Sequence, residues 1–165
     1  MVATVQIVEK NGTAGTNTQK DSGTVRFKNA GNATVDTNDP MVIPAATGSF
    51  DYSYEKWLRL KITVAPDTNL SNLKFYTDGA NGFGTGVTMW AKAVATYATP
   101  AEATATAGYA DAFTYTSGSA LDLGTATVTG TGEVGSHAVL MLRVQGTASP
   151  GTLSFETGYF AYDEL

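Results

Sequence analysis

The sequence predicts an all-β fold, an antiparallel β-sandwich of jelly-roll type in a single domain spanning 1–165. Three observations predict it. Short stretches of period-two hydrophobic alternation recur along the chain, Gly, Asn, Asp, Thr and Pro separate them, and no segment carries the three-to-four-residue apolar stripe of an amphipathic helix. Composition agrees: 26 Thr, 23 Ala and 18 Gly dominate the 165 residues, while only 15% are charged. Thr suits strands, and Gly suits the turns between them.

The N-terminal candidate strands, 4–8, 23–28 and 41–43, are weak ones. Between and after these, 12–23 and 29–44 are polar and rich in Gly, Asn and Pro, so the first 44 residues read as long loops of the sandwich or as an extended assembly arm. The clearest run is 52–65. There Leu58, Leu60, Ile62 and Val64 share one face and Arg59, Lys61 and Thr63 the other, until Pro66 ends it. A turn-rich stretch, 67–71, leads to 72–77, where Leu73 and Phe75 alternate with Lys74 and Tyr76; the pair reads as an antiparallel connection. A loop with four glycines, 78–86, precedes a third long run at 87–96. The Ala/Thr-rich segment 99–108 lacks an apolar stripe and reads as an extended excursion. Later runs are 112–116, 126–129, 137–145 and 154–163. Both faces of 137–145 are apolar, which marks a central strand or one covered on both sides.

Composition also excludes chemistry. The chain has no Cys and one His, which removes disulfides, cysteine-bound zinc, thiol nucleophiles and multi-histidine metal sites. No apolar stretch reaches the length of a membrane helix, and charges at Glu9 and Lys10 come too early for the apolar core of a signal peptide. The chain reads as made in a cytoplasm, with no membrane partner. Net charge is −5, divided unevenly: residues 1–92 hold nine Lys or Arg against eight acids, residues 93–165 only Arg143 against seven. An acidic C-terminal half disfavours nucleic acid as a partner. If one part grips an acidic neighbour, the first 92 residues supply the cations.

The candidate motifs reduce to turns. Gly82-x-Gly84-x-Gly86 runs into a β-patterned segment with no Lys-Ser/Thr, whereas a phosphate loop must open a helix. Asp36-x-Asn38-Asp39 and Asp78/Asn81 gather oxygen donors but lack the spacing of a calcium loop. Ser136 and His137 are adjacent in a strand and point to opposite faces, so they cannot form a nucleophile–base pair. Asp51, Glu55, Glu156 and Asp163 lie near strand ends, and nothing singles out a catalytic pair. The reading is therefore non-enzymatic, with no catalytic residue, metal or cofactor. Aromatic residues are the better clue: Tyr52, Tyr54, Trp57, Tyr76, Trp90 and Tyr97 are all strand-associated. Either they cover the second side of a sheet, or an exposed row of them, with Trp57, Tyr76, Trp90 and Tyr97 the candidates, contacts a protein or glycan partner.

The runs YSYEKWLRL at 52–60, NLSNLKFYTDG at 69–79, GTGV at 84–87 and FAYDE at 160–164 resemble small virion structural proteins of tailed bacteriophages. The resemblance spans roughly residues 24 to 165 and carries packing and turn patterns, not catalytic ones. It implies a capsid decoration or cement protein on the outer face of the virion, with the major capsid protein as partner and a homo-oligomer, a trimer favoured, as its assembled form. The alternatives are a carbohydrate-binding or host-surface-binding module on a virion or fibre, and a tail or neck protein.

Overall fold

The computed structural model describes residues 2–20 and 23–165. Within them lie ten strands, β1 (Thr4–Asn11), β2 (Thr16–Gln19), β3 (Phe50–Tyr52), β4 (Lys56–Val64), β5 (Leu70–Tyr76), β6 (Val87–Val94), β7 (Ala110–Asp111), β8 (Leu121–Gly124), β9 (Gly132–Gln145) and β10 (Tyr159–Glu164), and one 3-10 turn at Ala112–Thr114. No helix among the described residues is long and apolar enough to cross a membrane. The strands form a seven-stranded antiparallel sheet in the order β2-β1-β4-β9-β6-β7, with β3 beside β4 along β9, and a three-stranded sheet, β10-β5-β8. The fold is an all-β sandwich. This strand order does not establish jelly-roll winding.

β9 organises the large sheet because both of its faces are apolar. Ala138, Leu140, Leu142 and Val144 face the core, and Val139 and Met141 on the opposite face are also fully buried. Antiparallel pairing puts Leu58 and Leu60 of β4 and Val87, Met89 and Ala91 of β6 on the same core face. The small sheet answers with Leu70, Leu73 and Phe75 of β5 and Leu121 and Leu123 of β8. Such mutual burial of aliphatic faces is the main stabilising contribution to a sandwich.

One irregularity fits the sheets together. Between the pairs Leu58–Ala138 and Leu60–Val134, β9 carries two more residues than β4. Gly135 sits in this bulge at φ +68°, and a Cβ there would come within 2.5 Å of Leu73 Cδ1 and 2.8 Å of the Leu123 carbonyl oxygen. Glycine is required by both the left-handed backbone and the close approach of the second sheet. Arg59 fills the bulge from the outside, its Nε donating to the Gly135 carbonyl at 2.8 Å.

Several sequence expectations are corrected. The run 52–65 is broken at 53–55, where Ser53 bonds Leu142 through its amide and its Oγ, so β3 and β4 follow each other along β9. β4 and β5 do not pair: the 65–69 connection crosses between sheets, because β5 needs its apolar side chains on the opposite layer. No strand forms at 23–28 or 41–43, although Val25, Phe27, Met41 and Ile43 pack on the core from an irregular segment. Residues 4–19, most of which lie in no predicted strand, form a hairpin built into the sheet. The 112–116 run is mainly the 3-10 turn, and 126–129 contributes only a bridge between Val128 and Leu70. The last strand begins at Tyr159 and leaves Phe155 exposed.

Candidate functional site

Three of the four predicted aromatic residues lie at the outer face of the large sheet, Trp57 and Trp90 on its strands and Tyr97 on the segment that covers Trp57. Trp57 alternates with Leu58 and so points away from the core, yet it is only 3% exposed. Its cover is the excursion after β6, residues 95–109. That segment is held by the Glu55 amide donating to the Ala101 carbonyl at 2.9 Å and the Ala103 amide donating to that of Ser53 at 3.2 Å. From the same segment Tyr97 meets Trp57 edge-on at 5.4 Å and donates its hydroxyl to the Gly12 carbonyl at 2.6 Å. Glu55 binds the layer together. It accepts from Trp57 Nε1 at 3.0 Å, from Lys92 Nζ at 3.0 Å, and from the Tyr109 hydroxyl. Burial, with the Glu55 carboxylate beside it, pushes the Tyr109 hydroxyl far above its usual range.

His137 completes the cluster, fully buried, with its ring 5.3 Å from Trp57 and Nδ1 3.0 Å from the Val94 carbonyl. Its pKa is lowered, first by burial and then by the charges of Arg59 and Lys10, against which the Val94 carbonyl acts. Beside it, Glu133 receives Lys10 Nζ at 2.6 Å, Asn17 Nδ2 at 2.7 Å and Arg59 Nη1 at 3.1 Å. Burial raises its pKa, but the Lys10 and Asn17 hydrogen bonds and the two cationic charges outweigh that and hold it at about 2. This corner is a packing device that fastens the β1–β2 hairpin and the 95–109 excursion onto the sheet.

Trp90 lies across β9 from Trp57, opposite Met141, one same-face step beyond the Val139 partner of Trp57. Arg143 lies between two rings, its Cζ 4.9 Å from Trp90 and 4.6 Å from Phe50, and Phe50 is 40% exposed. Trp90 Nε1 is buried without an acceptor. Tyr76 is on the other sheet, stacked on Tyr159 at 5.1 Å and 15°. The structure thus joins Trp57 with Tyr97, sets Trp90 on the same face of the sheet against Arg143, and places Tyr76 in a different layer. No single row contains all four.

Sequence reasoning missed a buried ionic cluster. Glu9, Lys20, Lys28 and Lys56 are all buried and lie where the irregular 23–49 segment crosses the sheet. Lys56 Nζ and Lys20 Nζ each stand 3.4 Å from a different Glu9 oxygen, neither of which accepts a hydrogen bond. Backbone carbonyls take the ammonium protons: Asn32 from Lys56 at 2.7 Å, Thr24 and Ala33 from Lys20 at 2.9 Å. Lys28 pairs with Asp36 at 2.9 Å, a hydrogen bond that lowers the Asp36 pKa. Burial lowers the Lys56 pKa, with Lys28 and Lys20 adding to the effect and Glu9 opposing it. Alternation on β4, which sets Lys56 on the face of Leu58, was the available signal.

The cluster also accounts for part of the positive charge of residues 1–92. Of the nine cations in residues 1–92, Lys20, Lys28 and Lys56 are buried, Lys10 and Arg59 bind Glu133, and Lys92 binds Glu55. The acids and amides of the two oxygen-rich segments make turns: Asp36 Oδ1 accepts the Asn38 amide, Asp78 Oδ1 that of Ala80 and Asn81 Oδ1 that of Phe83. No group of three or more His, Asp or Glu able to hold a metal is found among the described residues. Comparison with protein-family models, curated proteins and solved structures yields no match.

Proposed function

We propose that this chain is a non-enzymatic virion structural protein, a decoration or cement protein that binds the assembled shell of a tailed bacteriophage and stabilises it. The observation that supports this most directly is the sequence resemblance, whose quoted runs fall on the sandwich frame: β3–β4, β5, the entry to β6, and β10. A partner that binds only the assembled lattice lowers the free energy of that state by mass action. The surface feature best suited to the contact is exposed Phe50 with half-buried Arg143 and Trp90 behind it, since aromatic rings and arginine are the side chains that anchor protein interfaces. A homotrimer would match local shell symmetry and add avidity.

The test is particle assembly with and without this chain. Full particles should carry it in fixed ratio to the major capsid protein and resist heating better than particles made without it. Equal heat resistance, or recovery of the chain only with tails, overturns the proposal and favours the tail or neck reading. Binding to host glycans by the isolated chain would favour the second alternative, for which the Tyr76–Tyr159 stack is the available ring platform.

A further inference from the structure

The two sheets do not close on each other along their whole length. Between them lies a cavity of about 810 Å3, floored by Leu58, Met89, Leu140 and Leu142 of the large sheet and Phe75 and Phe160 of the small one. Its walls are two segments without regular structure, around 23–27 and 148–158. A space of this size falls in the range of ligand sites, roughly 300–1,000 Å3. Its apolar floor suits a hydrocarbon group.

The lining indicates what kind of ligand. Arg26 lies on the wall with its Nε buried and without a hydrogen-bond partner, and it makes no ion pair among the described residues. An unpaired guanidinium beside an apolar chamber favours a carboxylate, which it can bind through two parallel hydrogen bonds. Lys20, the other lining cation, is already held by Glu9 and two carbonyls. Glu156, packed over Gly82, also lines the space; its charge repels an anionic group there and leaves Arg26 as the anchoring end. Phe155 lines the chamber too, yet is 86% exposed, which presents an apolar ring at the entrance.

We propose that this cavity binds a single-chain fatty acid, with its hydrocarbon tail between the sheets and its carboxylate on Arg26. The inference does not depend on the capsid reading. It is tested by calorimetric titration of the whole delipidated chain with palmitate and, as a neutral counterpart of the same tail length, hexadecanol. Palmitate should bind saturably at one site, and Arg26→Gln should weaken it roughly tenfold while leaving hexadecanol unchanged. Met89→Trp, which fills the floor, should abolish both; if that variant does not fold, Leu153→Trp in the wall serves the same purpose. Absence of palmitate binding to the native chain overturns the proposal, as does binding that neither Arg26→Gln nor the filling variants alter.

Discussion

Replacing Glu9 by Gln tests the buried charge cluster more sharply than any change to a lysine. The single carboxylate lies 3.4 Å from both Lys20 Nζ and Lys56 Nζ and is wholly shielded from water. At an effective dielectric constant of about 20, one such contact contributes about 5 kcal/mol before the hydration lost on burial is subtracted. Removing the anion strands ammonium groups that cannot regain that hydration, so the net loss is expected at about 3–5 kcal/mol. Lys56→Met should behave differently. It leaves Glu9 paired with Lys20, relieves repulsion from Lys20 and Lys28, and sacrifices one hydrogen bond to Asn32, for a loss below about 2 kcal/mol. Urea unfolding followed by tryptophan emission reads both, because Trp57 passes from a buried site to water. The reasoning is refuted if Glu9→Gln shifts stability by less than about 1 kcal/mol, or by no more than Lys56→Met.

Gly135→Ala should destabilise by about 2–4 kcal/mol in thermal unfolding, since the new Cβ meets Leu73 and the Leu123 carbonyl in a left-handed backbone. Acid should act in two windows. His137 has a folded pKa below its ordinary 6.5, so stability falls as pH drops from 6.5 through that lowered value, and His137→Phe should flatten this limb in pH-dependent urea melts. Glu133 has a folded pKa of about 2 against 4.5, so its contribution is complete above 4.5 and is lost as pH falls towards 2. With 22% of its side chain in solvent, Glu133→Gln should remove only about 1 kcal/mol at neutral pH, and most of the acid dependence below 4.5. Arg143→Ala should reduce binding to shells at least about tenfold in a co-sedimentation assay, and raising salt should change native binding little, because few unpaired cations face outward.

Period-two alternation was a good guide wherever one face of a strand meets the core, as in β4, β6 and β9. It failed where the partner lies elsewhere in the chain. Leu73 and Phe75 announce a strand, but nothing local says that β5 joins the small sheet instead of pairing with β4. β2, with the residues Thr16, Asn17, Thr18 and Gln19, has no apolar signal at all and exists as an edge strand because β1 offers it hydrogen bonds. Val25, Phe27, Met41 and Ile43 show the reverse: their side chains are core material, yet their backbone needs no ladder to deliver them. Among the aromatic residues, alternation sets Tyr76 and Trp90 opposite the core-facing side chains of their strands, but the cover that 95–109 supplies over Trp57 depends on long-range hydrogen bonds to Ser53 and Glu55 that no spacing rule contains.

Most cations of residues 1–92 are engaged within the fold. Lys10 and Arg59 bind Glu133 and Lys92 binds Glu55, while Lys20 and Lys56 are sealed under the 23–49 segment, to which the buried Lys28 itself belongs. These cations close the fold by tying a hairpin and an irregular segment to the sheet, where aliphatic burial alone would not fix the position of an unladdered chain. The acids that remain outward, among them Asp39, Asp78, Glu102, Asp122 and Asp163, are exposed and dispersed over turns, an excursion and strand ends. A surface of that kind keeps the molecule soluble and repels other copies at a distance. If the chain docks on a shell as proposed, recognition rests on local shape and ring contact, and Arg143, held between Phe50 and Trp90, is placed to supply it.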